Sequence, residues 1–302
     1  MVKEATFGPI RIDLQQSRAL RQVIGIVTHP AGRIGTLLVI PILFLAVFGP
    51  SMVPWGPNAL NTNDLLQAPS TSHLMGTDQL GRDQFARVID ALPLAFTVPF
   101  GAVGIALVAG SIIGVLAGYL GAYWERFLMW ITDIFLAMPA LLLAIFVVAV
   151  FGGGAVNTMI AISLIYMPRF ARIARGSTLR IKNLAFTDAA RIAGVPPLQI
   201  IARHILPSIF PELLVMATLS LSNALVALST LSFLGLGVIP PQADLGNMLS
   251  KSVKFVTLAP WLIWFPALVL TMIILSFNLT GDAVRDVVDP RVNRAREAAS
   301  RV

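Results

Sequence analysis

The chain has 302 residues, of which 56% are hydrophobic and 12% are charged, and its mean hydropathy is +0.81. A water-soluble domain carries about 25% charged residues, so this composition excludes disorder and disfavours a soluble globular domain. There are no cysteines, so the sequence offers no disulfide, no thiol nucleophile and no cysteine-based metal site. We therefore expect an integral membrane protein.

Long uncharged, apolar runs mark the expected membrane-spanning segments. A hydrocarbon core of about 30 Å needs roughly 20 helical residues, and continuous rather than alternating apolar runs favour helices over barrel strands. We predict an all-α integral membrane protein with six transmembrane helices, at about 34–53, 94–119, 127–151, 155–175, 210–233 and 259–279.

The positions of Lys and Arg set the expected orientation. With six spans, 18 of the 22 basic residues fall on the side of the two termini and 4 fall on the other. Because cytoplasmic loops carry the excess of Lys and Arg, both termini are predicted to be cytoplasmic. This topology explains the basic composition better than nucleic-acid binding does. The first apolar run is interpreted as a retained span rather than a signal peptide, since 33 residues precede it.

The predicted organisation follows from these spans. It comprises a cytoplasmic N-terminal segment (1–33), the first transmembrane helix (34–53), an external loop (54–93), a core of five transmembrane helices (94–282) that includes a cytoplasmic loop (176–208), and a cytoplasmic tail (283–302).

Few residues could carry catalysis or bind a cofactor. The sequence has no GxxxxGK[ST] nucleotide loop, and His29, His73 and His204 lie in three different segments. Asp133 is the one clear ionisable residue inside a predicted span, and a proton relay is one interpretation. We favour an interfacial carboxylate paired with a nearby base such as Arg126. We predict no catalytic residue, no metal site and no cofactor bound by this chain.

The cytoplasmic loop is predicted to contain two short helices joined at a glycine. Residues up to Ala193 favour a helix, and Gly194 suits a C-terminal cap with positive φ. The prolines at 196–197 suit the first turn of a second helix. Isoleucines within 200–205 give that helix one apolar face, and Pro207 is expected to end it. The small residues at the corner favour docking into a groove on a partner protein, and an ordinary amphipathic interfacial helix is the alternative.

This segment resembles the cytoplasmic coupling motif of ABC transporter permeases. That motif is Glu-Ala-Ala, three residues, Gly, and then about nine residues to Ile-x-Leu-Pro. It stands here as Asp188-Ala189-Ala190, Gly194 and Ile205-Leu206-Pro207. Asp replaces Glu, and Ile directly precedes Leu-Pro. The resemblance implies that these residues couple the chain to a separate ATPase.

A second motif is similar to the GTDxxGRD signature of dipeptide and oligopeptide permeases, specifically of the C-type subunit. Its two glycines permit sharp turns, and its charged residues can form ion pairs that hold the loop in shape. Contact with a substrate-delivering protein, or closure of an outer gate, is the other interpretation, and both stay open. The motif consists here of Gly76, Thr77, Asp78, Gly81, Arg82 and Asp83.

The predicted fifth span carries several hydroxyl and amide side chains. Thr218, Ser222 and Asn223 are candidate pathway residues, and Asn223 is the most polar of them. A pathway for a peptide needs several weak hydrogen-bonding sites rather than one tight site. The alternative is that these residues serve helix–helix packing.

The resemblance covers residues from about 20 to 291 and implies a type I ABC importer permease fold. It implies a membrane-spanning subunit that forms half of a pathway for di- or oligopeptides in the bacterial inner membrane. The implied partners are a second, homologous permease in a heterodimer, two cytosolic ATPases that bind ATP and Mg, an external substrate-binding protein and the lipid membrane, with no nucleic acid. Nickel complexes or glutathione as substrates, a proton-coupled carrier, and a channel or scaffold remain alternatives.

Overall fold

The computed structural model describes residues 24–288, so the tail beyond 288 and most of the N-terminal segment lie outside the described residues. The fold is helical. Its helices are α1 (Pro30–Met52), α2 (Gln84–Leu120), α3 (Ala122–Ala137), α4 (Ala140–Phe151), α5 (Ala155–Lys182), α6 (Ala185–Ile192), α7 (Pro197–Ile200), α8 (Leu206–Phe233), α9 (Leu245–Ser252) and α10 (Trp261–Val288). A π-helical turn, Ile201–Ile205, joins α7 to α8.

The centre of the fold is the parallel pair α2 and α5. Gly110, Gly114 and Gly118 recur every fourth residue and therefore share one face of α2. A Cβ atom on Gly110 would lie 2.5 Å from the Met167 carbonyl oxygen, and one on Gly114 would lie 2.1 Å from that of Ala171. Small residues let the backbones of membrane helices approach closely. This glycine stripe therefore sets the distance between the two central helices.

Two ends of the helix bundle can be defined from contacts between helix termini. The Lys182 ammonium donates a hydrogen bond of 2.7 Å to the Tyr119 carbonyl, so α2 and α5 end at the same level. We call this the elbow end. At the opposite end, the Gly154 amide donates to the Gly237 carbonyl at 2.8 Å, and the Gln84 side chain donates to the Leu262 carbonyl at 3.2 Å. We call this the loop end.

The described helices confirm a helical membrane protein. Four of them are long and apolar enough to cross a membrane, namely α1, α2, the continuous helix Pro197–Phe233, and α10. The pair α3 and α4 passes the same test only when taken together, which gives up to five spans among residues 24–288. Helix α5 does not pass, because its apolar first half is followed by closely spaced basic residues from Arg169 onward. The sixth span, expected within α5, stays a prediction.

The predicted third span, 127–151, is not one straight helix. Helices α3 and α4 meet at an angle of 93°. Pro139 accounts for the break, because a proline disfavours the α conformation in the residue before it and lacks a backbone N–H. Met138 is accordingly extended, with φ −86° and ψ 137°.

Candidate functional site

The elbow, which we define as residues 185–205, is built around a glycine corner. Gly194 has φ +75°. Its amide donates to the Arg191 carbonyl at 3.1 Å, and the Val195 amide donates to the Ala190 carbonyl at 3.1 Å. These two hydrogen bonds form a Schellman cap, which requires the positive φ that glycine adopts without strain. The predicted glycine corner between two helices is therefore present, and the first of these helices, α6, is short as predicted.

The elbow presents apolar side chains on two opposite sides. Ile200 and Ile205 are 1% and 0% exposed, so the predicted apolar face of the second helix packs into the bundle. Ile192 and Leu198, which flank the corner, are 88% and 76% exposed. Exposed apolar residues with a charged rim mark interaction sites. Asp188 supplies part of that rim and pairs with Arg191 at 2.8 Å.

Thr187 anchors α6 to the end of α5 and was not identified by sequence reasoning. Its side chain is fully buried, and its hydroxyl donates to the Ile181 carbonyl at 2.9 Å. The contact spans only six residues, but a single threonine beside a charged residue has no sequence pattern that predicts it.

Pro207 does not end the second helix of the elbow, contrary to the prediction. It lies in the first turn of α8, and Pro197–Phe233 is a continuous helix. The Leu206 amide donates to the Ile201 carbonyl, which is the spacing of a π-helical turn. This wider turn makes room for the proline ring, which would otherwise clash with the carbonyl four residues back. The second helix of the elbow is consequently a direct extension of α8.

Carboxylates also tie α8 and α3 to arginines on α5. Glu212, in α8, accepts hydrogen bonds from the Ser177 hydroxyl and the Arg180 guanidinium. Asp133, in α3, accepts a hydrogen bond of 2.8 Å from Arg172. Arg126 is thus the wrong partner for Asp133. The acid pairs across helices with α5 rather than within its own helix.

At the loop end, the signature loop (residues 76–83) turns most of its side chains inward. Thr77 is fully buried, and its hydroxyl accepts a hydrogen bond of 2.8 Å from the Gln67 amide. Asp78 accepts hydrogen bonds from the Leu80 amide at 2.8 Å, the Arg82 amide at 3.0 Å and the Arg82 side chain at 2.7 Å. The Asp78–Arg82 ion pair is therefore as predicted, and it is buried.

Asp83 caps a helix and contacts a buried histidine. One of its oxygens accepts a hydrogen bond of 2.7 Å from the Ala86 amide and so caps α2. The other oxygen lies 2.8 Å from the Nδ1 atom of buried His73. The sharp turns expected at the glycines are also present, since Gly76 and Gly81 have φ of +73° and +70°. These contacts support the structural interpretation of the loop.

The surroundings of the signature loop are basic. Arg87 donates hydrogen bonds of 3.1 Å to the Pro57 carbonyl and to the Asn58 side chain, and so fixes the chain that leads into the loop. Burial lowers the pKa of Lys251, and the nearby charges of Arg82 and Arg87 lower it further.

The three candidate pathway residues of α8 do not face one common space. Ser222 is buried, and its hydroxyl lies 2.6 Å from the Asn278 side-chain oxygen on α10. Thr218 lines an apolar cavity of about 550 Å³ between α1, α2, α8 and α10. Asn223 alone is exposed, with its amide donating to the Leu219 carbonyl at 3.2 Å.

Comparisons with known proteins agree with the sequence motifs. The family model "Binding-protein-dependent transport system inner membrane component" matches residues 110–294. The chain is 36% identical to the dipeptide transport system permease protein DppC of Alkalihalophilus pseudofirmus over 86% of this chain and 85% of that protein. It is 36% identical to the di/tripeptide transport system permease protein DppC of Pseudomonas aeruginosa, over 88% and 90% of the two chains. It is 38% identical to the glutathione transport system permease protein GsiD of Escherichia coli, over 85% of each.

The fold also has a counterpart among solved structures. A chain of the inward-facing MetNI methionine ABC transporter superposes with a TM-score of 0.55 at 20% identity. The superposition covers 67% of this chain and 96% of that chain. At this identity the likeness concerns the fold.

Proposed function

The chain belongs to the family of binding-protein-dependent transport system inner membrane components, and from this membership we propose a function in ATP-driven uptake of di- and oligopeptides. It is a multi-pass protein of the bacterial inner membrane and a permease subunit rather than an enzyme. In the proposed transporter it forms half of the translocation pathway, and separate ATPase subunits hydrolyse ATP.

The observation that carries this proposal is the elbow. Its corner exposes Ile192 and Leu198 away from the bundle, which suits docking into a groove of an ATPase subunit. Behind the corner, the helix runs without interruption into α8. Thr187 and Glu212 connect the same region to α5. A displacement of the elbow by the ATPases would therefore move α8 and α5 together, as a two-state element biased by ATP.

The proposed topology has six spans with both termini in the cytoplasm, in a type I importer permease fold. The basic residues at the end of α5 support placing the elbow end in the cytoplasm. The broken pair α3–α4 then crosses the membrane once from the elbow end to the loop end. The fully apolar α4 supports its placement inside the bilayer.

The remaining proposed partners follow from the same orientation. A second, homologous permease completes the pathway in a heterodimer, and an external substrate-binding protein delivers the peptide at the loop end. Exposed apolar side chains at that end, Leu74 at 62% and Ile239 at 59%, support a protein contact there.

The test is a reconstituted transporter with the second permease, the ATPases and the binding protein. We expect uptake of a labelled dipeptide to require ATP and to persist when the proton gradient is collapsed. Ile192→Asp or Leu198→Asp should abolish co-purification of the ATPases, while Leu74→Asp, at the opposite end, should leave it intact. Uptake that follows the proton gradient, or ATPase binding unaffected by both elbow variants, would contradict the proposal.

Glutathione is a second candidate substrate, because the GsiD protein has an identity to this chain similar to that of the dipeptide permeases. Competition experiments separate the two. Unlabelled glutathione should displace the labelled dipeptide only if the system accepts glutathione, which is itself a γ-linked tripeptide.

A further inference from the structure

We propose that a cavity between α3 and α5, at the elbow end, binds the headgroup of an anionic phospholipid. The cavity measures about 720 Å³, which is within the range of small-molecule sites. Three arginines and two acids contribute to its wall. The lining consists of Ala122, Glu125, Arg126, Met129, Asp133, Arg172 and Arg175.

The charges in the cavity leave one guanidinium free. Glu125 accepts a hydrogen bond of 2.7 Å from Arg175, and Asp133 accepts one of 2.8 Å from Arg172, so each acid is matched by one arginine. Arg126 is exposed and has no hydrogen bond or ion pair within residues 24–288. The cavity therefore carries a net positive charge, and Arg126 can bind a phosphate through two parallel N–H donors.

The level of the cavity matches the boundary between hydrocarbon and water. Helix α5 has no charged residue from Ala155 to Pro168, a length of about 21 Å, and basic residues follow from Arg169 onward. Arg172 and Arg175 thus stand just beyond the apolar part of the helix. Basic pockets between membrane helices at this level are suited to lipid headgroups.

The outer surface of α3 has the composition of a membrane interface. Tyr123, Trp124 and Trp130 are 70%, 53% and 60% exposed. Tyr123 and Phe127 each contact Trp124 edge-on, with ring centroids 6.0 Å and 6.5 Å apart. Trp and Tyr concentrate where headgroups meet acyl chains. This aromatic surface beside an unpaired arginine favours a lipid as the occupant over a soluble anion or a protein.

The experiment uses the assembled transporter in nanodiscs that contain phosphatidylglycerol and phosphatidylcholine, and native mass spectrometry to measure the retained lipid. Wild type should retain phosphatidylglycerol preferentially. Arg126→Gln should weaken that retention about fivefold, the effect of one basic residue at an anionic surface, and Arg126→Lys, which keeps the charge but not the paired donors, should restore part of it. The matched control is Arg285→Gln, because Arg285 is also an exposed, unpaired arginine of the described chain but does not line the cavity.

Three results would overturn the proposal. These are equal retention of the two lipids by wild type, an equal loss in the Arg126 and Arg285 variants, and displacement of the lipid by inorganic phosphate at constant ionic strength, which would indicate a soluble anion instead. The proposed lipid site does not depend on which side of the membrane the elbow end faces. Lipid retention in a nanodisc does not depend on the transported substrate, so failure of this proposal and failure of the proposed function are separate results.

Discussion

Gly81 lies directly against the backbone of Asn61, such that a Cβ atom built on Gly81 would be 1.7 Å from the Asn61 carbonyl oxygen. The two residues belong to the signature loop and to the segment that precedes it. Their contact closes the segment 61–81 on itself. It explains why a glycine is needed at this position for two separate reasons, the positive φ and the absence of room for a side chain.

We predict that Gly81→Ala destabilises the protein far more than Gly121→Ala. Gly121 has φ +69°, nearly the φ of Gly81, but within the described part of the chain its Cβ would meet only the Lys182 side chain, at 3.7 Å. Because its ψ of −169° places it in a region that only glycine adopts readily, Gly121→Ala should show a backbone penalty of about 1–3 kcal/mol and no clash. Gly81→Ala adds a clash with backbone and should exceed about 3 kcal/mol. Thermal unfolding of the purified protein measures both, and similar shifts for the two variants would show that the close contact is unimportant.

The second prediction compares two aspartates that each pair with an arginine. Asp78 and its partner Arg82 are buried, whereas the side chains of Asp188 and Arg191 are 51% and 48% exposed. Asp78→Asn leaves a buried guanidinium without its counter-charge and should cost about 3–5 kcal/mol. Asp188→Asn should cost at most about 1 kcal/mol. The measurement is again thermal unfolding, and an equal loss of stability would argue against a structural role for the signature loop.

The third prediction concerns coupling through the elbow. Among residues 24–288, no atom outside Gly194 and its two chain neighbours lies within 4 Å of a Cβ on Gly194, so a side chain fits there, and the penalty comes from φ +75° alone. Gly194→Val should deform the corner and lower peptide uptake about tenfold relative to ATP hydrolysis. Gly194→Asn is the control, because asparagine tolerates this conformation. The rates of peptide uptake and ATP hydrolysis are measured in reconstituted proteoliposomes. Unchanged uptake by the valine variant would show that the corner has no role in coupling.

Variants of Asn223 and Ser222 should differ in their effects, one changing peptide uptake and the other changing stability. Asn223 is exposed, so Asn223→Leu should lower peptide uptake several-fold without changing the unfolding temperature. Ser222→Ala removes a hydrogen bond to Asn278 between α8 and α10, and should reduce stability by about 1 kcal/mol while uptake stays near normal. Normal uptake by the Asn223 variant at normal expression would exclude this residue from the pathway.

Asp244 gives a prediction for pH dependence. It is buried and caps α9 by accepting a hydrogen bond of 3.0 Å from the Asn247 amide, and burial raises its pKa above the ordinary 3.8. The folded state then binds the proton more tightly than the unfolded state, so stability falls as the pH rises from 3.8 to the raised pKa. Asp244→Asn keeps the cap and removes the charge. The unfolding temperature of this variant should not decline over this pH range, and at neutral pH it should exceed that of wild type. If the unfolding temperatures of the variant and of wild type changed with pH in parallel, the decline could not be attributed to Asp244.

The sequence alone predicts the membrane environment and the features that depend on residues close together in the chain. A mean hydropathy of +0.81 requires a membrane environment, and Gly194 followed by two prolines specifies a corner between two helices. The glycines and acids of the signature loop likewise imply turns and a local ion pair, both of which are present. Each of these features depends on residues that are close together in the chain, so their spacing is sufficient evidence.

Tertiary structure decided everything that depends on partners distant in sequence. Asp133, for example, pairs with Arg172 across helices rather than with Arg126. Pro207 differs from this case, because the π-helical turn that accommodates it is local and spans Ile201–Ile205. The role of the glycine stripe on α2, which is to allow close approach of a second backbone, is evident only when α5 lies against it. The physical reason is the same in each case. The free energy of a side chain depends on the groups that it contacts after folding. The cost of placing a proline or a charge at a given position is therefore decided by its neighbours in the folded protein.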